Sequence, residues 1–71
     1  MITCRFFLNN RIKTFTEKTI KDCLKSFLNN YHEAIKELKF VIVLNALGSG
    51  SRQVIKSDLF KKIYLNKNDT N

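Results

Sequence analysis

Between Ile20 and Leu38 the apolar residues fall at Ile20, Leu24, Phe27, Leu28, Tyr31, Ile35 and Leu38. Steps of three and four place them on one stripe of a helix, opposed by Lys18, Lys21, Asp22, Lys25 and Asn29. Asn29-Asn30 is a point where that helix weakens or ends, although the stripe runs on to Leu38. Upstream, Ile2 to Leu8 mixes β-branched and aromatic residues and stops at Asn9-Asn10, a turn signal. Alternation along this first strand puts Ile2, Cys4 and Phe6 on one face and Thr3, Arg5 and Phe7 on the other. Thr14-Phe15-Thr16-Glu17 then carries the spacing of a helix capping box, with Thr14 or Thr16 as the cap.

Downstream of the helix, Lys39 to Ala46 is a dense apolar run with Val41-Ile42-Val43 at its centre. It reads as a central strand covered on at least one face. Leu47-Gly48-Ser49-Gly50-Ser51 holds both glycines of the chain and reads as a turn or loop. Residues 52–65 are ambiguous, because Ile55, Leu59 and Ile63 share one face of a helix and equally one face of a strand. The expectation taken is a strand returning beside residues 39–46. The predicted fold is α+β, in the order β-α-β-β, with one amphipathic helix packed on a small sheet of about three strands. Residues 1–65 form the single domain and 66–71 a polar tail.

Composition narrows the function classes. The chain has 71 residues, of which 44% are hydrophobic, too many for a disordered basic tail. A domain this short buries only about 60% of the surface of its unfolded chain and has a net stability of a few kcal/mol. It has little room for an enclosed active site. The charge is 13 Lys+Arg minus 6 Asp+Glu, or +7 with His neutral. Lys, Asn, Ile and Phe are the residues an AT-rich genome favours, which explains part of that excess but not the scarcity of acids. The positive charge is spread over both halves of the chain. A basic coat on a folded domain favours a polyanion, foremost nucleic acid, through phosphate neutralisation and counterion release. A basic surface that serves solubility alone is the competing reading.

Cys4 and Cys23 are too few and too far apart for a disulfide framework, and a reducing compartment is the simpler assumption. The longest uninterrupted apolar run, Phe40 to Leu44, is far short of the ~20 residues of a membrane helix. Before Glu17 there is no acidic residue, whereas Arg5, Arg11, Lys13 and three threonines are present. Acid-poor leaders of this kind resemble mitochondrial presequences. A basic first strand and loop is the preferred reading, since cleavage would leave little domain. The glycosylation sequon at Asn68-Asp69-Thr70 has no other sign of secretion beside it.

Catalysis has little support. His32 is the single histidine, and nine residues of helix, about 900° of rotation, put it opposite Cys23. Cys4, Cys23 and His32 lack the paired spacing of a metal site. Glu17 with Lys21, Asp22 with Lys25 and Glu33 with Lys36 read as solvated helix pairs. Gly48-Ser49-Gly50-Ser51-Arg52 has the makings of a phosphate contact in its flexible backbone, the Ser51 hydroxyl and the Arg52 fork, but not the ending of a nucleotide-binding loop. A plain hairpin loop is the alternative. The six phenylalanines read mainly as core, so contacts with phosphates and shape are expected in place of base readout.

The strand at the N-terminus, the helix, the apolar strand Phe40–Leu44, the loop through Leu47 and Gly48 to Ser51-Arg52, and the stretch Gln53 to Lys61-Lys62-Ile63 together resemble the small-subunit ribosomal protein S-ten family. The family's proline-rich loop is missing here, and Phe60 stands where the family has a His before the basic pair. The likeness spans most of this chain and about two-thirds of the family domain. It implies a non-enzymatic structural constituent of the ribosome, with ribosomal RNA and neighbouring ribosomal proteins as partners. From the chain itself no cofactor, membrane or small-molecule substrate is expected, and a mitochondrial ribosome is favoured over a cytosolic one. Carried over by position, Ser51, Arg52, Lys61 and Lys62 would face RNA. With the basic residues read from the chain itself, the expected RNA-binding set is Arg5, Arg11, Lys13, Ser51, Arg52, Lys56, Lys61, Lys62 and Lys67. About six phosphate contacts predict a log–log salt slope of roughly −4 to −5. A second likeness, to the core of a Tctex-type dynein light chain, implies instead a protein-interaction module that pairs by its sheet edge.

Overall fold

The computed structural model describes residues 1–65. Its first strand, β1 (Ile2–Phe7), alternates as its sequence predicts: Cys4 and Phe6 are fully buried while Arg5 is exposed. The chain turns through Asn9-Asn10, closed by the Leu8 amide donating to the Arg11 carbonyl at 2.9 Å. It does not then enter a helix. Ile12–Glu17 forms β2, antiparallel to β1, with Cys4 opposite Phe15 and Arg5 opposite Thr14. The capping box expected at Thr14 or Thr16 is therefore corrected to Thr19, whose hydroxyl accepts from the Asp22 amide at 3.0 Å. The physical reason is the period: Ile12, Thr14 and Thr16 alternate with Lys13, Phe15 and Glu17, and threonine suits a strand surface as well as a cap.

Helix α1 (Ile20–Tyr31) buries Cys23, Leu24 and Phe27. The apolar stripe continues, but the α-helix does not, and residues His32–Glu37 wind into a tighter 3₁₀ turn that brings Ala34 and Leu38 into the core. β3 (Phe40–Leu44) runs antiparallel between β1 and β4 (Arg52–Lys56), giving a four-stranded sheet in the order β2-β1-β3-β4. Residues 52–65 are not one strand. The chain leaves β4 at Lys56 and forms a second helix, α2 (Ser57–Tyr64), with Asp58 in its first turn and Lys61 and Lys62 in its last, charges that complement the helix dipole. The fold is thus α+β with four antiparallel strands and two helices, in place of three strands and one helix, and the order is β-β-α-β-β-α. The expected tail 66–71 lies outside the described residues.

Both helices lie on the same face of the sheet, α1 over β1 and β2, α2 over β3 and β4. Between the layers sits an aromatic core: Phe6 stacks on Phe27 at 4.4 Å and meets Phe60 edge-on at 5.8 Å, with Phe15 and Tyr31 around them. Val41 and Val43 complete it from β3. Burial of each such ring contributes about 2–3 kcal/mol, which matters greatly in a domain this small. β3 is the central strand that its apolar run predicts: Phe40–Leu44 is paired on both sides, and the sheet's edges are β2 and β4.

Candidate nucleic-acid interface

Because side chains alternate across a strand and paired residues share a face, the strand register defines what the uncovered side of the sheet carries. One row across it is Ile12, Phe7, Phe40 and Lys56; the next is Thr14, Arg5, Ile42 and Val54; the third is Thr16, Thr3, Leu44 and Arg52. Successive rows lie about 6.6–6.8 Å apart along the strands. No helix of the described residues packs on this side. Phe7 and Phe40 are cross-strand neighbours with rings stacked at 4.4 Å and 15°. Ile42, 6% exposed, is shielded by the surrounding side chains and stands outside the main core cluster. Ile12 and Val54, at 53% and 60%, are open to solvent. Thr3 and Thr16 share a hydrogen bond of 2.8 Å across β1 and β2.

The charges on this face are all positive. Arg5 stands on an interior strand, and Arg52 and Lys56 stand at the two ends of β4. No acidic residue occupies any of the three rows. Glu17, Asp22, Glu33, Glu37 and Asp58 all lie elsewhere: on the covered side of β2, in α1, in the 3₁₀ turn and in α2. Several are engaged there. Glu17 accepts from the Ser26 hydroxyl at 3.0 Å, Glu37 meets Arg11 at 3.7 Å, and Glu33 meets Lys36 at 3.1 Å. The expected pairs of Glu17 with Lys21 and Asp22 with Lys25 are not among the ion pairs of the described residues.

The structure thus divides the sequence-predicted set. Arg5, Arg52 and Lys56 come together on the open face. Arg11 is held towards Glu37 at the rim. Lys13 points to the helix side, its ammonium 4.5 Å from the centre of the Tyr31 ring. Lys61 and Lys62 ride on α2 in the other layer, and Lys67 lies outside the described residues. Ser51 serves the loop itself, since its hydroxyl accepts from the Leu47 amide at 3.0 Å, while the Asn45 side-chain oxygen accepts from the Gly50 amide at 2.9 Å. The Ser51 amide donates to the Gly48 carbonyl at 3.1 Å. The glycine loop closes on itself, and the Leu47, Gly50 and Ser51 amides already have acceptors within it. Asn45, Gly48 and Gly50 take positive φ (68°, 118° and 82°), the left-handed backbone that this tight connection requires.

At one end of the sheet the open face continues into a cleft of about 500 Å³ lined by Leu38, Lys39, Phe40, Val54, Lys56, Ser57 and Asp58. The sequence reads the phenylalanines, Phe7 and Phe40 among them, mainly as core, and gives no reason to single out Thr14, Lys39, Val54 or Asp58. A signal for Phe7 exists, since alternation in the first strand groups it with Thr3 and Arg5. For Phe40 the signal is hidden in an unbroken apolar run.

The cysteines meet in the core. Both are fully buried and reduced, and the Cys23 sulfur lies 3.5 Å from the Phe15 carbonyl and 3.6 Å from that of Ile2. Burial pushes the Cys4 thiol well above its ordinary value and raises that of Cys23. The neighbouring Cys23 raises Cys4 further, and a hydrogen bond from Cys4 partly offsets the rise at Cys23. His32 is exposed at the far end of α1, beside Glu33 and away from the thiols. No protein-family model, curated protein or solved structure matches the chain.

Proposed function

We propose that this chain is a non-enzymatic RNA-binding component of a ribonucleoprotein, the ribosome foremost, and that it holds single-stranded RNA on the open face of its sheet. The observation that carries the reading is the segregation of charge and aromatics. Lys56 pairs beside Phe40, Arg5 stands one row on, and Arg52 two rows on, so the stacked Phe7–Phe40 pair shares with three cations a face without a carboxylate. Unpaired bases stack on aromatic rings and apolar side chains with little regard to sequence, while the neighbouring cations neutralise phosphates. A duplex would offer the same face phosphates alone and leave the aromatic pair unused. The ribosomal assignment rests on the sequence likeness to the S-ten family, strongest over the strand Phe40–Leu44 and its loop, since the stretch after Lys56 is helix α2 and not the strand of that likeness; co-sedimentation with ribosomal subunits tests it separately.

The test of binding is a fluorescence-anisotropy titration of the full chain with labelled oligo-uridine and with duplex RNA. Single strand is expected to bind in preference to duplex. Three or four phosphate contacts give a log–log salt slope of roughly −2 to −3, shallower than six contacts would. Phe7→Ala should weaken binding by about ten-fold, since one base–aromatic stack is worth about 1–3 kcal/mol. Absence of binding, or a preference for duplex, contradicts the reading.

A further inference from the structure

We propose that the cleft beside Phe40 is a pocket for a single nucleotide of the bound strand, one whose base carries an exocyclic amino group, and that Asp58 is the acceptor that selects it. The proposal rests on the binding of single-stranded RNA to the open face. The cleft continues that face without a break: Phe40, Val54 and Lys56 belong to both. Its volume, about 500 Å³, lies in the range of small-molecule sites. Phe40, Val54 and Leu38 give it apolar walls, and Lys39 and Lys56 put two cations at its rim. Phe40 is stacked on Phe7 on one side, so a base in the cleft would extend that stack by one ring.

The frame of the cleft is fixed by backbone. The Ser57 amide donates to the Lys39 carbonyl at 3.0 Å, which ties the start of α2 to the entry of β3. This holds Asp58 over a site that is otherwise apolar and cationic. A carboxylate there works against phosphate binding, and none occurs on the open face itself. It suits a hydrogen-bond donor instead: a carboxylate accepts from the N4 amino group of cytosine, for example, whereas uracil presents a carbonyl oxygen at the same position. No ion pair engages Asp58 among the described residues.

Oligo-cytidine and oligo-uridine RNAs of equal length, titrated into the wild-type chain and the Asp58→Ala variant at neutral pH, separate the possibilities. The pocket predicts that the wild type binds oligo-cytidine about ten-fold more tightly, the size of one hydrogen bond to a charged acceptor. Asp58→Ala should bring the two affinities level by weakening oligo-cytidine, with oligo-uridine unchanged or tighter as a negative charge is removed. A melting curve of the variant checks that α2 is intact, and the affinity ratio is a readout that a purely structural role for Asp58 would not move. If both RNAs bind but the ratio is near one, or survives in Asp58→Ala, the pocket is refuted while binding on the open face stands. If neither RNA binds, both proposals fall together.

Discussion

Asn45 and the two thiols show how single residues set measurable properties of this domain. Asn45 holds φ at 68° and accepts from the Gly50 amide. Asn45→Ala loses the acceptor and strains the backbone, a cost of about 2 kcal/mol. Asn45→Gly keeps the backbone free and loses only the hydrogen bond, about 1 kcal/mol, and urea denaturation of the two variants should give that order. Cys4 and Cys23 make stability depend on alkaline pH. Their thiols are raised in the folded chain, so the folded state keeps protons that the unfolded chain gives up. Stability from this source is complete below the ordinary thiol value, near 8.5, and declines above it by at most about 1.4 kcal/mol per pH unit for each thiol. The midpoint of urea unfolding should therefore fall between neutral pH and about pH 10, and fall less steeply in the Cys4→Ala/Cys23→Ala variant. Equal slopes would mean that the thiols ionise alike in both states.

The elements differ in how openly the sequence declares them, and residues 57–64 are the sharpest case. Ile55, Leu59 and Ile63 stand out in the sequence because they are aliphatic and evenly spaced, yet spacing four is shared by helix and strand. Leu59 and Ile63 are half exposed in the fold, and the residues that anchor α2 are Phe60 and Tyr64. A melting series decides between the two arrangements. Phe60→Ala should cost about 3–5 kcal/mol, enough to unfold most of so small a domain, while Leu59→Ala and Ile63→Ala should each cost well under half as much. A returning strand would invert that order, since it would bury 59 and 63 together. β2 is obscure for another reason: Phe15 is its one large core residue, so its alternation carries almost no apolar signal, and pairing with β1 makes it a strand. The helix stripe and the alternation of β1, by contrast, are legible because each buries a full face. Of the proposed binding surface, Arg5, Arg52 and Lys56 can be read from charge alone. That they share one face with Phe7 and Phe40 depends on the strand order β2-β1-β3-β4, which no local pattern encodes.

At the scale of the whole molecule the decisive feature is the division of a thin slab, 32 × 32 × 20 Å, into two unlike faces. The helical layer carries every acid of the described residues apart from Glu17, together with the lysines of α1 and α2. The open sheet carries aromatics, threonines and cations. A net charge of +7 attracts a polyanion from any direction, and in the proposed reading the open sheet adds to that charge the stacked Phe7–Phe40 pair. Charge removal on the two faces should consequently have unequal effects: Arg5→Ala should weaken oligo-uridine binding and flatten its salt slope by about 0.7, more than Lys25→Ala in α1. The most direct test follows the phenylalanine ring protons by NMR while oligo-uridine is added to the full chain. The rings of Phe7 and Phe40 should move upfield as bases stack on them, while those of Phe6 and Phe27, sealed between sheet and helices, hold their positions. Unmoved Phe7 and Phe40 resonances at saturating RNA would contradict the account.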